Sequence, residues 1–167
     1  MIKLLVLDVD GCLTDGKIIY TSNSSEVKEF NVKDGLAIAS WIRMGHHVAI
    51  ITGRNSFIVK RRADELGIQH LHQGIKDKEK ILRKIVDSLD LKLEEVAAIG
   101  DDLNDYGMLS IVGMSFTPNN GVKDIQDIVD IRLSRDGGDA AVREMIDHII
   151  QANGEKEKFL SLWIDKE

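Results

Sequence analysis

Cysteine and proline are almost absent from this chain of 167 residues: each occurs once, as Cys12 and Pro118. A single cysteine excludes an internal disulfide, and with no histidine beside it in sequence Cys12 reads as a small buried filler. No long basic run interrupts the net charge of −6, which argues against a nucleic-acid partner. An anionic substrate would therefore need local positive charge or a metal to offset the acidic background. No apolar run approaches membrane-spanning length, and the first residues lack a charged segment leading into a long apolar one. No membrane partner is expected, and a cytoplasmic setting is. Repeats, low-complexity tracts and linkers are missing too.

What remains suits one domain over residues 1–167. Apolar residues make up 43% and charged residues 30%, an ordinary balance for a soluble chain large enough to bury a full core. Leu4-Leu5-Val6-Leu7 runs straight into Asp8-Val9-Asp10-Gly11. A short continuous apolar run bounded by glycine reads as a buried central strand of a parallel sheet. Asp8 and Asp10 then stand at its carboxyl end, where open α/β sheets bind ligands.

The rest of the chain alternates. Lys17–Tyr20 and Val27–Asn31, around Ser22-Asn23-Ser24-Ser25, read as a β-hairpin flap over residues 12–31. Asp34-Gly35 opens a helix that Gly45 stops, with Asp34 in a position to cap it. Strands are expected at His47–Thr52, Ile68–His72, Glu95–Gly100, Met114–Phe116 and Asp130–Leu133. Helices are expected at Ser56–Leu66, Lys78–Leu89, Met108–Ile111, Val122–Asp127 and Ala140–Ala152. Pro118 falls in a loop with Asn119-Asn120-Gly121. The charged tail, 154–167, carries Phe159, Leu160, Leu162 and Trp163, and reads as a helix packed on the body or on a partner. Strands alternating with helices give an α/β fold, a doubly wound parallel sheet.

Such a sheet gathers Asp8/Asp10, Thr52-Gly53-Arg54 and Asp101/Asp102 on one edge, with Lys78 opening a helix nearby. These parts suit phosphoryl transfer. Asp8 would attack phosphorus and form an aspartyl-phosphate. Asp10 would protonate the leaving oxygen and then deprotonate the attacking water. Asp8 and Asp101, with a carbonyl, would bind Mg²⁺, so the candidate metal set is Asp8, Asp10 and Asp101. The Thr52 hydroxyl and the Gly53 N–H would hold phosphate oxygens, and Lys78 would neutralise developing charge. Asp105 either bonds Lys78 or caps the helix that follows. The five histidines show no convincing metal-ligand spacing. His70 and His72 alternate on one strand face, where a strand-edge role is expected.

This constellation resembles the haloacid dehalogenase superfamily of phosphatases. Asp8-Val-Asp10-Gly matches its first motif, Thr52 its second, Lys78 its third and Gly100-Asp101-Asp102 its fourth, in order from Leu4 to about Ser115. Asp8-Val-Asp-Gly-Cys-Leu-Thr-Asp-Gly16, Phe30-Asn-Val-Lys-Asp-Gly35, Ile51-Thr-Gly-Arg54, Gln73-Gly74 and Gly137-Gly-Asp-Ala-Ala-Val-Arg-Glu144 are similar to the 3-deoxy-D-manno-octulosonate 8-phosphate (KDO 8-phosphate) phosphatases. That resemblance implies a Rossmannoid fold without a large cap domain, whose hairpins pair in a homotetramer with neighbouring chains closing each site. It further implies that Asn31, Val32, Lys33, Asp34, Gly35, Arg54 and Arg62 contact a sugar acid phosphate, with Lys78 on its phosphate. Arg54 suits such a substrate because a guanidinium forks onto carboxylate or phosphate. One departure stands out: where the family pattern has Arg-Gly, this chain has Asp139-Ala140. The expected reaction is hydrolysis of KDO 8-phosphate in lipopolysaccharide precursor synthesis. The alternatives are the same chemistry on a nine-carbon, sialic-acid-type 9-phosphate, a receiver-like phospho-signalling module, or a non-catalytic subunit.

Overall fold

The computed structural model describes residues 1–164. Its centre is strand β1 (Leu4–Leu7), whose four side chains are wholly buried. β1 lies between β4 (His47–Ile51) and β6 (Val96–Ile99). With β5 (His70–His72), β7 (Met114–Thr117) and β8 (Ile131–Arg132) they form a six-stranded sheet in the order β5-β4-β1-β6-β7-β8, parallel at every pairing. A strand buried on both faces needs apolar residues at every position, which is why these strands read as continuous runs.

Alternation splits the core into two layers. Leu5, Leu7, Val48, Ile50, Ala97 and Ile99 face α1 (Val32–Arg43), α2 (Phe57–Leu66) and α6 (Ala141–Asn153). Leu4, Val6, Ala49, Ile51, Val96 and Ala98 face α3 (Lys78–Ser88), α4 (Tyr106–Leu109) and α5 (Lys123–Gln126). The doubly wound α/β fold expected from the sequence is therefore the fold observed.

Several boundaries differ. The hairpin ladder is shorter than expected, with β2 at Ile19–Tyr20 and β3 at Glu26–Val27. Beyond Val27 the ladder stops and Lys28 turns inward, its ammonium 2.5 Å from Asp10 Oδ1, while Glu29 faces outward. Helix α1 begins earlier: Asn31, not Asp34, is its N-cap, accepting the Lys33 N–H at 2.9 Å. Helix α4 starts at Tyr106, behind a single 3₁₀ turn over Leu103–Asp105. Helix α6 starts one residue late, because Ala140 adopts a left-handed conformation with φ +66°.

The tail folds onto the body. In α7 (Lys156–Ser161) Phe159 is buried in the core, and just beyond it the Trp163 indole N–H donates to Ser40 Oγ at 3.0 Å. Glu155 Oε2 lies 2.8 Å from His46 Nε2, and Lys158 donates to the Met44 carbonyl at 2.9 Å. Residues 165–167 of the expected tail lie outside the described residues.

Candidate active site

Register places the site. Leu7 pairs with Ile99 on one side and with Ile50 on the other, so β1, β4 and β6 end together. Asp8 continues the pattern for one residue, donating its N–H to the Ile99 carbonyl at 3.2 Å. Asp8, Thr52 and Asp101 thus leave three adjacent strands at one edge. They wall an open cleft with Asp10, Gly53 and Arg54.

Gly11 is needed for this convergence. Its φ is +93°, and a Cβ there would fall 2.0 Å from Asp101 Oδ2. Only glycine lets the first acidic loop approach the fourth.

Lys78, the first residue of α3, sits beneath the cleft with 1% of its side chain exposed. It donates to Asp8 Oδ1 at 2.8 Å and to Asp105 Oδ1 at 2.5 Å. The second oxygen of Asp105 accepts the Asp101 N–H at 2.9 Å and the Asp102 N–H at 3.4 Å. Of the two readings of Asp105, the bond to Lys78 is the one observed; its other oxygen fixes the preceding loop that carries Asp101 and does not cap α4.

The electrostatics are those of crowded acids. Burial and the Asp105 charge push the Asp8 carboxyl up to about 7, against the pull of Lys78. Burial, then Asp105 and Asp102, push Asp101 up to about 6. Burial works against the Lys78 ammonium, but Asp8 and Asp105 outweigh it and hold its pKa above the usual value. One lysine among these carboxylates leaves negative charge uncompensated.

That imbalance suits a divalent cation. Ligand atoms of Asp8, Asp101 and Cys12 lie within 4.8 Å of one another. Burial, then the neighbouring carboxylates, push the Cys12 thiol well above its usual value, so it stays protonated and is a poor ligand. The remaining donors are hard oxygens, which fit Mg²⁺. The Asp10 carboxylate is outside that cluster and is bonded to Lys28, so any part Asp10 takes in metal binding falls to its carbonyl.

Other expected site residues stand apart. Asn31, Asp34, Gly35 and Arg62 line a separate small cavity with Phe30 and Leu13. Asp34 is 2% exposed, and its Oδ1 accepts the Arg143 N–H at 2.7 Å. The Arg62 guanidinium lies over the Phe30 ring at 5.7 Å, while Val32 and Lys33 face outward. Within one chain this second group does not reach the cleft that holds Asp8.

Two site residues escape the sequence reading. Lys28 Nζ is 2.5 Å from Asp10 Oδ1 and 3.2 Å from Glu26 Oε1, with 2% of its side chain exposed. The signal was the hairpin's alternation, since Glu26 and Lys28 share a face while Val27 points away.

A parallel sheet bearing an aspartate pair on its central strand, a lysine beneath it and a second acidic loop beside it is the arrangement of a haloacid dehalogenase-like hydrolase. Residues 71–146 match the family model of haloacid dehalogenase-like hydrolases. The 3-deoxy-D-manno-octulosonate 8-phosphate phosphatase KdsC of Haemophilus influenzae is 37% identical over 158 residues, covering 95% of this chain and 88% of that protein. The crystal structure of the corresponding phosphatase from Moraxella catarrhalis, in complex with magnesium, phosphate and KDO, superposes with a TM-score of 0.92 at 40% identity, covering 96% of this chain and 93% of that one. The cobalt-bound Haemophilus influenzae enzyme gives 0.88 at 38% identity, covering 92% and 90%. The chain belongs to the family of 3-deoxy-D-manno-octulosonate 8-phosphate phosphatases, within the haloacid dehalogenase-like hydrolases.

Proposed function

We propose that this chain is a Mg²⁺-dependent phosphoric monoester hydrolase that converts KDO 8-phosphate to the free sugar acid and phosphate, supplying lipopolysaccharide synthesis. The observation that carries the reading is Asp8 held by Lys78 beside Asp101, at the foot of a cleft that also presents Thr52, Gly53 and Arg54. A receiver-like module would carry its acceptor aspartate on a later strand, whereas here the pair ends β1. Neither that alternative nor the nine-carbon substrate is favoured by the relatives.

The roles follow from position. An Asp8 carboxylate oxygen attacks phosphorus while the ester P–O bond breaks, and the leaving sugar oxygen takes a proton from Asp10. Water then attacks the aspartyl-phosphate, Asp10 takes that proton, and Asp8 is released with inorganic phosphate. Thr52 and the Gly53 N–H orient the phosphoryl oxygens, and Lys78 offsets their charge and holds Asp8 in place. Asp8, Asp101 and the Asp10 carbonyl would hold Mg²⁺, which would supply further charge neutralisation there.

The hairpin exposes Ile18, Ile19, Tyr20 and Val27, and a ladder of two residues per strand is marginal alone. We therefore read the assembly as a homotetramer built through this flap, with Asn31–Gly35 and Arg62 completing the site of a neighbour. The single-domain organisation and a cytoplasmic setting belong to the same proposal. No described helix is long and apolar enough to cross a membrane.

The deciding experiment measures phosphate release from KDO 8-phosphate and a panel of sugar acid phosphates. Release should need Mg²⁺, stop with EDTA, and be abolished by Asp8→Asn. Undiminished turnover by Asp8→Asn would remove Asp8 from its role, and preference for a nine-carbon 9-phosphate would replace the substrate.

A further inference from the structure

We infer that Lys28, reaching in from the flap, is the positioning residue for the general acid and base Asp10; the inference rests on the phosphatase reading above. Lys28 follows β3, on the far side of the hairpin turn from β1. Its ammonium is nonetheless buried at the catalytic edge, with Asp10 Oδ1 at 2.5 Å. A lysine almost never has 2% side-chain exposure unless its charge is paired. Here the pairing is double, since Glu26 Oε1 lies 3.2 Å away.

Glu26 is tied down in turn. Its Oε2 accepts the Ser56 hydroxyl at 2.8 Å, at the start of α2. Its Oε1 is 3.5 Å from the Arg54 guanidinium, which also donates to the Tyr20 hydroxyl at 3.4 Å. A continuous polar chain therefore runs from α2 through Ser56, Glu26 and Lys28 to Asp10. Cys12, Leu13 and Phe30 anchor the two ends of the flap in the core, but Ile18, Ile19, Tyr20 and Val27 in its hairpin are exposed, so these inward polar contacts are what hold the hairpin itself.

Asp8 and Asp10 are held by different parts of the protein. Asp8 is fixed from below, by Lys78 and the sheet. Among the described residues, the Asp10 carboxylate has one side-chain hydrogen-bond partner, Lys28. Without Lys28 its χ torsions are free among staggered rotamers, only some of which face the leaving oxygen. Proton transfer requires the acid within hydrogen-bond reach of that oxygen, so a misplaced Asp10 slows chemistry while substrate still binds. Lys28 acts through Asp10 and need not touch the reacting atoms.

The test compares wild type with Lys28→Met on two esters. With KDO 8-phosphate, the variant should lose about 30-fold or more in kcat, with KM changed less than about threefold. With 4-nitrophenyl phosphate the leaving anion needs no proton, whereas hydrolysis of the aspartyl-phosphate still uses Asp10. Lys28→Met should therefore release a rapid burst of nitrophenolate near one per site, then turn over about tenfold or more slower than wild type. Glu26→Gln, which keeps Lys28 but loosens its second tether, should show the same pattern more weakly, and it carries the test if Lys28→Met fails to fold by circular dichroism.

A raised KM with unchanged kcat, unchanged kinetics, or a burst slowed as much as the steady state would each overturn the role. If wild type hydrolyses the aryl ester but not KDO 8-phosphate, the substrate reading falls while the burst still decides Lys28. If wild type hydrolyses neither, both fall together.

Discussion

Asp34, in the first turn of α1, accepts the backbone N–H of Arg143, in the first turn of α6, across 109 positions of sequence at 2.7 Å. It satisfies one of the donors that every helix leaves open at its start. Ala140, which precedes α6, has no side-chain oxygen to do so. A residue that looks like the cap of its own helix is in fact the cap of another.

The other oxygen of Asp34 is buried with no hydrogen-bond partner among the described residues, and burial pushes this carboxyl up to about 6. Asp34→Ala should therefore lose the cap and about 1–2 kcal/mol. Asp34→Asn keeps an acceptor and removes the buried charge, so it should stay within about 0.5 kcal/mol of wild type. Urea denaturation at pH 8 distinguishes the two. Equal losses would mean that the charge, not the cap, matters.

Ala140 sits in left-handed backbone, 1% exposed, where the family pattern carries glycine. A Cβ in that region costs about 1–2 kcal/mol. The extra freedom glycine brings to the unfolded chain returns about 0.4–1 kcal/mol of that. Ala140→Gly should thus raise stability by about 0.5–1 kcal/mol, read as a higher melting temperature. A fall in melting temperature would mean that the methyl packs better than the backbone suffers.

Stability should also depend on pH and metal. Folding raises the carboxyls of Asp8 to about 7 and of Asp101 and Asp34 to about 6. A raised acid contributes most below its unfolded value near 3.8 and loses that contribution as pH climbs through 6 and 7. The chelated protein should melt lower at pH 7.5 than at pH 5.5. Glu144 and Glu155, whose hydrogen bonds outweigh their burial and hold them low, act only in more acidic solution. Added Mg²⁺ should raise the melting temperature more at pH 7.5, where protons no longer compete for the carboxylates. Melts followed by circular dichroism in EDTA and in MgCl₂ check this, and identical melts at both pH values would refute it.

The flap's outward face should drive association. Tyr20, at 64% exposure, and Ile19 are the residues to change. Light scattering should give a tetramer for wild type and smaller species for Ile19→Lys/Tyr20→Lys. A monomeric wild type at micromolar concentration would remove the assembly proposal.

The legible parts of the fold were those in which one physical demand dominates. Strands buried on both faces must be apolar throughout, so Leu4–Leu7 and Val96–Ile99 declared themselves, and a parallel sheet then brings their acidic tips to one edge. The flap's limits were not legible, because side-chain contacts from Glu26 and Lys28 to distant residues end its ladder. The start of α1 differs from the sequence pattern for a related reason: Asp34 has the right chemistry for a local cap, and a distant helix uses it. For Lys28 the hairpin's alternation puts it on one face with Glu26, but nothing local says that this face is the one turned toward Asp10.

The placement of β1 at the middle of the sheet has a dynamic corollary. Amide hydrogens of Leu5 and Leu7 can meet solvent deuterium only when the whole sheet comes apart, whereas those of the thin hairpin can trade at every small fluctuation. Asp8, the proposed nucleophile, thus follows directly on a buried central strand whose amides should exchange slowly. Asp10, two residues on, is bonded instead by Lys28 of the hairpin, whose amides should exchange quickly.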